Sequence, residues 1–178
     1  ENSVIFALMA SKTTQAVGAG AVGQLAVLAI DAFNTGDGGS GLLLAARGFG
    51  AAIGPFIFMR FVRNNMPRML LLVGVGGLIW SSFYLVASAS PMLWMAVIAI
   101  GAAHIGGGAI WTMASYGLQI STEDHIRGRV LAGDMGLAML VTGLSSIVTG
   151  ILGEIFPIRV AIALVAGISG LASLSYLL

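Results

Sequence analysis

Residues 40–61 read SGLLLAARGFGAAIGPFIFMRF, an apolar segment whose only charge before Arg60 is Arg47. An α-helix needs about 20 apolar residues to cross the hydrocarbon core of a bilayer, and this segment is long enough. The rest of the chain has the same character, because 58% of its 178 residues are apolar and only 8% are charged. So few charges nearly exclude a water-soluble monomer, and so many apolar residues exclude a disordered chain. We therefore expect an integral membrane protein.

Apolar segments of this kind recur along the chain, separated by short stretches rich in Gly, Asn, Pro or charge. We predict six transmembrane helices, called spans one to six: Ser3–Ala32, Ser40–Phe61, Met69–Ala87, Met92–Gln119, Arg129–Leu152 and Ile158–Leu178. The 26 glycines suit close packing between membrane helices. A net charge of +1 gives nucleic acid no basic surface to bind. The sequence has no cysteine, metal-ligand cluster, phosphate-binding glycine loop or ATPase motif, so we expect no metal, no cofactor and no enzyme.

Basic loop residues orient the predicted spans. One side of the membrane has a single basic loop residue, Arg159. The other side has five: Arg60, Arg63, Arg68, Arg127 and Arg129. Because basic residues are enriched in cytoplasmic loops, this second side is predicted to be cytoplasmic, and both ends of the chain with it.

The single predicted domain, residues 1–178, divides into two similar parts, residues 1–88 and 92–178, with three spans each. An odd number of spans gives the two parts opposite topologies. Gly41 is the second residue of span two and Gly128 directly precedes span five, and each glycine precedes Leu at +3, Ala at +4 and a charged residue at +6. This echo predicts two inverted three-helix repeats, an architecture of membrane transporters. A chance match is the alternative.

Two stretches carry a resemblance to a known family: GLLLAARGFGAAIGP (Gly41–Pro55), with the basic turn after it, and RGRVLAGDMG (Arg127–Gly136). In them the chain resembles the C-terminal six-helix half of a major facilitator superfamily transporter, of the bacterial drug- and siderophore-exporter type. The resemblance covers essentially the whole chain and implies a twelve-helix protein whose N-terminal half precedes Glu1. The family loop after span two usually carries an acid where this sequence has Arg63, so the intracellular acid–base latch of relatives is not carried over.

The resemblance implies secondary active transport by alternating access in the bacterial inner (plasma) membrane. It implies a proton-coupled antiporter that exports a small amphipathic molecule. The implied partners are the lipid bilayer, the N-terminal half, the transported molecule and protons. A stand-alone six-helix channel and a regulatory or structural half-transporter are the alternatives. An intramembrane serine protease is disfavoured, because Ser40 lies at the membrane edge while His104 lies near the midplane, beyond hydrogen-bond reach.

Charges inside the spans mark candidate pathway residues, because a charge facing lipid costs several kcal/mol. Spans three and six carry none, so we expect them to be outer, lipid-facing supports. Lys12 lies ~13 Å into span one and Asp134 ~8 Å into span five from the same side. We hypothesise that they pair, stabilising one state or carrying the coupling proton. Snorkelling of Lys12 and a helix-end role for Asp134 are the alternatives.

Four further residues are candidate pathway residues, and for some of them the sequence leaves more than one role open. Gln15 belongs to the polar cluster around Lys12. Arg47 pairs with Asp31, faces an anionic substrate or contacts the missing half. His104, with Trp111 on the same helix face, is either a titratable cavity wall or a histidine bonded to a neighbouring helix.

Two properties of the interior bear on packing and on the solute. The interior cations favour an anionic or zwitterionic solute, and the apolar walls favour a lipophilic one. Four glycines of spans two and five are expected to serve helix packing: Gly50, Gly54, Gly133 and Gly136.

Overall fold

The computed structural model describes residues 2–62 and 65–178, so the predicted loop residue Arg63 lies outside the described part. Helix accounts for nearly all of it, and these residues include no strand. The elements are α1 (Asn2–Ala16), α2 (Gly20–Gly23), α3 (Leu25–Val27), a π-helical turn (Leu28–Ala32), α4 (Gly36–Val62), α5 (Met66–Ala89), α6 (Leu93–Ser121), α7 (Asp124–Ile155) and α8 (Ile158–Leu177).

Five helices, α4 to α8, are each long and apolar enough to cross a membrane. The segments Ser3–Gly23 and Leu25–Ala32 together qualify as a sixth crossing, bent by 42°. The prediction of an all-α membrane protein is therefore confirmed, and the structure has five to six candidate membrane helices where six were predicted. Span one, however, is not the continuous helix expected, because it is interrupted after Ala16 and bends again near Gln24.

The break in span one is joined to α7 by a single serine. Ser145 donates a hydrogen bond to the carbonyl of Val17 (2.6 Å) and accepts one from the amide of Gly20 (2.9 Å). A Cβ at Gly20 would overlap Ser145 and Thr149, so only glycine allows this approach. Because bilayer hydrocarbon offers no water to an interrupted helix, a neighbouring helix must satisfy its freed backbone groups. Ser145 performs that role here.

Glycines bring α4 and α6 into backbone contact. A Cβ at Gly50 would overlap the carbonyl of Gly101, and one at Gly54 would overlap the carbonyl of Ile105. Gly108 of α6 lies equally close to the backbone of Ala51. Small residues that let two backbones approach are the usual basis of tight packing between membrane helices.

Gly133 and Gly136, which we expected to pack in the same way, have open space where a Cβ would stand. Within the described chain they therefore make no close helix contact, and their role in packing stays a prediction. The open space follows from their position, because both residues are exposed while Asp134 between them is buried. They lie on the side of α7 that turns away from the other helices.

Burial within the described chain differs between the spans. The buried share is 22% for α4 and 17% for α7, against 44% for α5 and 50% for α6. The least covered spans are therefore two that carry interior charge, not α5 and α8. Helix α5 brings Trp80 and Tyr84 into the core, where both are fully buried and their rings stack 4.2 Å apart.

Two apolar clusters hold the bundle together, one towards each end. One contains Leu8, Phe58, Met69 and Met113, at the end that carries the arginine-rich loops. The other contains Trp80 and residues near the opposite end. Along α1 the buried apolar Leu8 gives way to buried polar Lys12 and Gln15. A polar layer therefore separates the two clusters.

Arg159, at the start of α8, fastens the end opposite the arginine-rich loops. Its guanidinium donates to the carbonyls of Ser88 (2.9 Å), Ser90 and Ala32 (3.3 Å), and lies 4.7 Å from the ring of Phe33. These carbonyls belong to the ends of α5 and span one, where no helical partner remains. One cation therefore caps two helix ends.

Replacing Ser145 by alanine is expected to destabilise the protein, because the Val17 carbonyl and the Gly20 amide lose their buried partner. Each orphaned group costs about 1–3 kcal/mol, so the free energy of unfolding should fall by at least that amount. Ser146→Ala is the matched control, because Ser146 is exposed and bonds only within its own helix, to Thr142. The two variants are compared by thermal unfolding of the full-length protein in detergent. Equal melting temperatures would show that Ser145 does not secure the break.

Candidate functional site

A cavity of about 460 Å³ lies in the polar layer, between span one and helices α4, α5, α6 and α7. Four of the predicted pathway residues line it: Gln15, Arg47, His104 and Trp111. The glycines Gly107 and Gly108 leave room for it on α6, and the hydroxyls of Thr112 and Thr142 add to its wall. The structure thus brings together on one surface residues that the sequence places on three separate spans.

Lys12 and Asp134 form a buried ion pair between α1 and α7, with side chains 1% and 2% exposed. Lys12 Nζ also donates to the hydroxyl of Ser115 (2.8 Å) and lies 5.4 Å from the centre of the Trp111 ring. The pair therefore adjoins the cavity through Trp111. Lys12 therefore does not snorkel in this conformation, and Asp134 lies in direct contact with it.

The ion pair leaves one polar atom of Asp134 unused. Its Oδ2 faces Lys12, whereas its Oδ1 is buried and has no hydrogen-bond partner among the described residues. An ionised carboxylate can accept several hydrogen bonds, so this oxygen is a free acceptor. It makes Asp134 a candidate proton acceptor.

Arg47 faces the cavity from α4 and is exposed. Among residues 2–62 and 65–178, no acidic side chain lies within ion-pair distance of its guanidinium. The pairing with Asp31, one of its three interpretations, is therefore absent from this conformation. Asp31 lies instead in a separate pocket beside Arg159.

His104 lies in the cavity wall and is also bonded to a neighbouring helix. It lines the cavity, and its Nε2 shares a hydrogen bond of 3.0 Å with the hydroxyl of Tyr84 on α5. The rings of Tyr84 and His104 meet edge to face with centroids 5.8 Å apart. This bond fixes the orientation of the imidazole towards α5.

The arginine-rich loops lie at one end of the bundle, because adjacent spans run in opposite directions. Arg60 and Arg68 are exposed there, at the end of α4 and the start of α5. Arg127 pairs with Asp124 and donates to the carbonyl of Thr122 (3.1 Å), which holds the turn into α7. Gly128 and Arg129 follow it as exposed residues of the first turns of α7.

The sequence reasoning missed two aromatic residues of the site, Trp80 and Tyr84. Their helix carries no interior charge, so nothing in the charge pattern pointed inward. The signal that was available is the amphipathic ring itself, because a buried tryptophan or tyrosine needs a partner for its polar atom. Trp80 lines the cavity, and Tyr84 supports His104.

The spans and the charged residues between them define a multi-pass helical membrane protein. The chain is similar to the cyanate transport protein CynX of Escherichia coli (strain K12), with 31% identity over 123 residues. The match covers 65% of this chain but only 30% of that protein's length. No family model matches the sequence. No solved structure matches it either.

Neutralising one member of the ion pair, by Lys12→Met or Asp134→Asn, is expected to lower the free energy of unfolding by about 3–5 kcal/mol, because the remaining buried charge loses its partner. The double variant should recover most of that loss. Asp124→Asn is the control, since Asp124 is exposed and exposed ion pairs contribute about 0–1 kcal/mol.

Thermal unfolding of the full-length protein in detergent measures all four variants. Additive losses in the double variant would contradict a direct pair between Lys12 and Asp134.

Proposed function

We propose that this chain is the C-terminal half of a secondary active transporter of the major facilitator superfamily, which moves a small molecule across the bacterial inner membrane. The observation that carries the proposal is the cavity at membrane depth, whose polar wall adjoins a buried ion pair between two different spans. Ionisable residues inside membrane spans usually mark the path of a solute or proton. Such a site binds and releases its solute unchanged, so the proposal is transport and not catalysis.

The comparison supports a transport function in general terms. A protein named for cyanate transport shares 31% of the aligned residues with this chain. The aligned part is only 30% of that protein. The activity of a complete transporter is therefore proposed here and does not follow from the comparison. The drug- and siderophore-exporter type and the outward direction of transport rest on the resemblance of the sequence motifs alone.

The packing pattern supports the proposed pair of inverted repeats. The second and third spans of the first part, α4 and α5, pack on α6, the first span of the second part. In return α7 and α8, the second and third spans of the second part, pack on span one. Spans three and six also contact each other, as do spans one and four. If a two-fold axis relates the two parts, each contact between them must recur with the equivalent spans exchanged. These contacts show that pattern.

The exposed faces of α4 and α7 support a missing N-terminal half. These two spans are the least buried and both carry residues of the candidate pathway, Arg47 and Asp134. A six-helix partner that covered them would enclose the cavity on its open side. Rocking of the two halves around the enclosed cavity would then expose it to each side in turn.

Proton coupling is assigned to Asp134. A proton that binds its carboxylate removes the negative charge that holds Lys12, and so weakens the contact between α1 and α7. The freed ammonium remains bonded to Ser115 and beside Trp111, at the wall of the cavity. Protonation of Asp134 would thereby change both the packing of span one and the wall of the cavity that contacts the solute.

The basic loops support a cytoplasmic position for the ends of α4 and α6. Four described arginines, Arg60, Arg68, Arg127 and Arg129, lie at that end, and Arg159 lies at the other. By the positive-inside rule, both ends of the chain are then cytoplasmic.

Transport by the full-length protein in proteoliposomes tests the proposal. Cyanate, benzoate and ethidium serve as probes, with an imposed or collapsed pH gradient. We expect at least one probe to accumulate with the gradient, to lose accumulation when an ionophore collapses it, and to lose it in Asp134→Asn but not in the control Asp124→Asn. Flux that is independent of the gradient would indicate a channel, and the absence of flux for all three probes would contradict the proposal.

A further inference from the structure

The balance of charge around the cavity leaves one cation without a counter-ion. Lys12 is neutralised by Asp134, so it adds no net charge to the surface beside it. No acidic residue lines the cavity, and Arg47 has no acidic partner within the described ranges. A cation held at membrane depth without a partner is costly unless it faces water or meets an anion.

Two further polar groups in the same wall also lack partners. Gln15 and Trp80 both line the cavity and are 6% and 0% exposed. The amide oxygen of Gln15 and the indole nitrogen of Trp80 make no hydrogen bond to any described residue. The indole N–H is a donor and suits an anion, whereas the amide oxygen is an acceptor and does not contribute to an anion site. Buried polar groups are seldom left unsatisfied in a folded protein, and each such case needs a reason.

Gly107 explains how both groups come to the cavity wall. A Cβ at Gly107 would overlap the Gln15 amide and lie 2.9 Å from Cδ1 of Trp80. Cδ1 is bonded to the indole nitrogen, so this edge of the ring carries the unpaired donor. The missing side chain therefore lets an amide and an indole N–H lie against the backbone of α6, next to the space that Arg47 faces.

The remaining wall is apolar and aromatic. The indoles of Trp80 and Trp111, with Ala16, Val22 and Met139, surround the polar groups. A guanidinium binds a carboxylate with two parallel hydrogen bonds, and an indole face packs against a flat apolar body. Both requirements are met in one ligand that has a carboxylate or similar anionic group on an apolar body.

We propose that the cavity binds a small organic monoanion, with Arg47 as the residue that selects for negative charge and Trp111 as the surface for its apolar part. This inference rests on the proposed transport function and names the solute class of the same cavity. It replaces the open choice between an anionic and a lipophilic solute with a ligand that has both properties.

Thermal stabilisation of the full-length protein by added solutes tests the anion site. The probes are sodium benzoate and acetate, with benzamide and acetamide as neutral counterparts and choline chloride as a cation. Benzoate should raise the melting temperature in a saturable way, acetate more weakly, and the amides and choline not at all. Equal effects of benzoate and benzamide, or stabilisation by choline, would overturn the proposal.

Substitutions assign the effect to individual residues. Arg47→Gln should weaken benzoate binding at least tenfold, whereas Arg47→Lys keeps part of it. Arg68→Gln, at an exposed loop arginine, is the control and should bind as the native protein does. Trp111→Ala should weaken benzoate more than acetate, because only benzoate has a ring to pack on the indole.

Failure of the site and failure of transport give different results. Gradient-driven transport of ethidium without any binding of monoanions would support the transport function and reject the anion site. Saturable binding of benzoate that depends on Arg47, without flux of any probe, would support the anion site and reject the transport function. A lower melting temperature of Arg47→Gln in the absence of solute, together with no binding of monoanions, would assign Arg47 to structure and overturn the proposal.

Discussion

The buried ion pair between Lys12 and Asp134 is the contact on which the arrangement of the other elements depends. Helix α7 is the least buried span, so apolar packing contributes little to its attachment. Between membrane helices there is in any case no hydrophobic driving force, because lipid is as apolar as the helices. Polar contacts hold α7 instead: the ion pair near one end of span one, and Ser145 at its break.

The attachment of α4 to α6 is of a different kind. Glycines at Gly50, Gly54 and Gly108 allow direct contact between backbones, without any charged group. Such a contact depends on shape, and neither a proton nor an ion alters it. The α1–α7 contact depends on charge, and we propose that protonation of Asp134 weakens it. In the proposed transporter, the first contact is the rigid part of the unit and the second is the part that responds to protons.

Much of the fold could be predicted from the sequence, because long apolar segments and sparse charges are strong signals. The spans were found in this way, and the spacing of Lys12 and Asp134 along two of them suggested their proximity. The break in span one was missed, because the stretch from Val17 to Gln24 is as apolar and glycine-rich as many continuous membrane helices. What makes the break tolerable is Ser145, more than a hundred residues further along the chain.

The candidate site was only partly predictable for a similar reason. Charged residues inside spans stand out, so Arg47, His104 and Asp134 were identified. The partner of His104 is Tyr84, and the unpaired donor of the cavity belongs to Trp80, both on a helix without charge. Whether an aromatic residue in such a helix faces lipid or a cavity depends on the rotation of the helix. That rotation is set by packing, which composition does not record. The charge pattern therefore predicts a peripheral α5, whereas the burial of Trp80 and Tyr84 on this helix depends on packing.

Access to the cavity from the two sides of the membrane tests the central claim most directly. Thr112, which is exposed and lines the cavity, is replaced by cysteine in a protein that carries no other cysteine. Leu171→Cys, at a residue 70% exposed on α8, is the lipid-facing control. With a membrane-impermeant thiol reagent, we expect the cysteine at position 112 to react from one side at a time. Reversing the pH gradient should change which side that is, and the control should not react. Simultaneous reaction from both sides, or reaction from neither side, would contradict a cavity with alternating access.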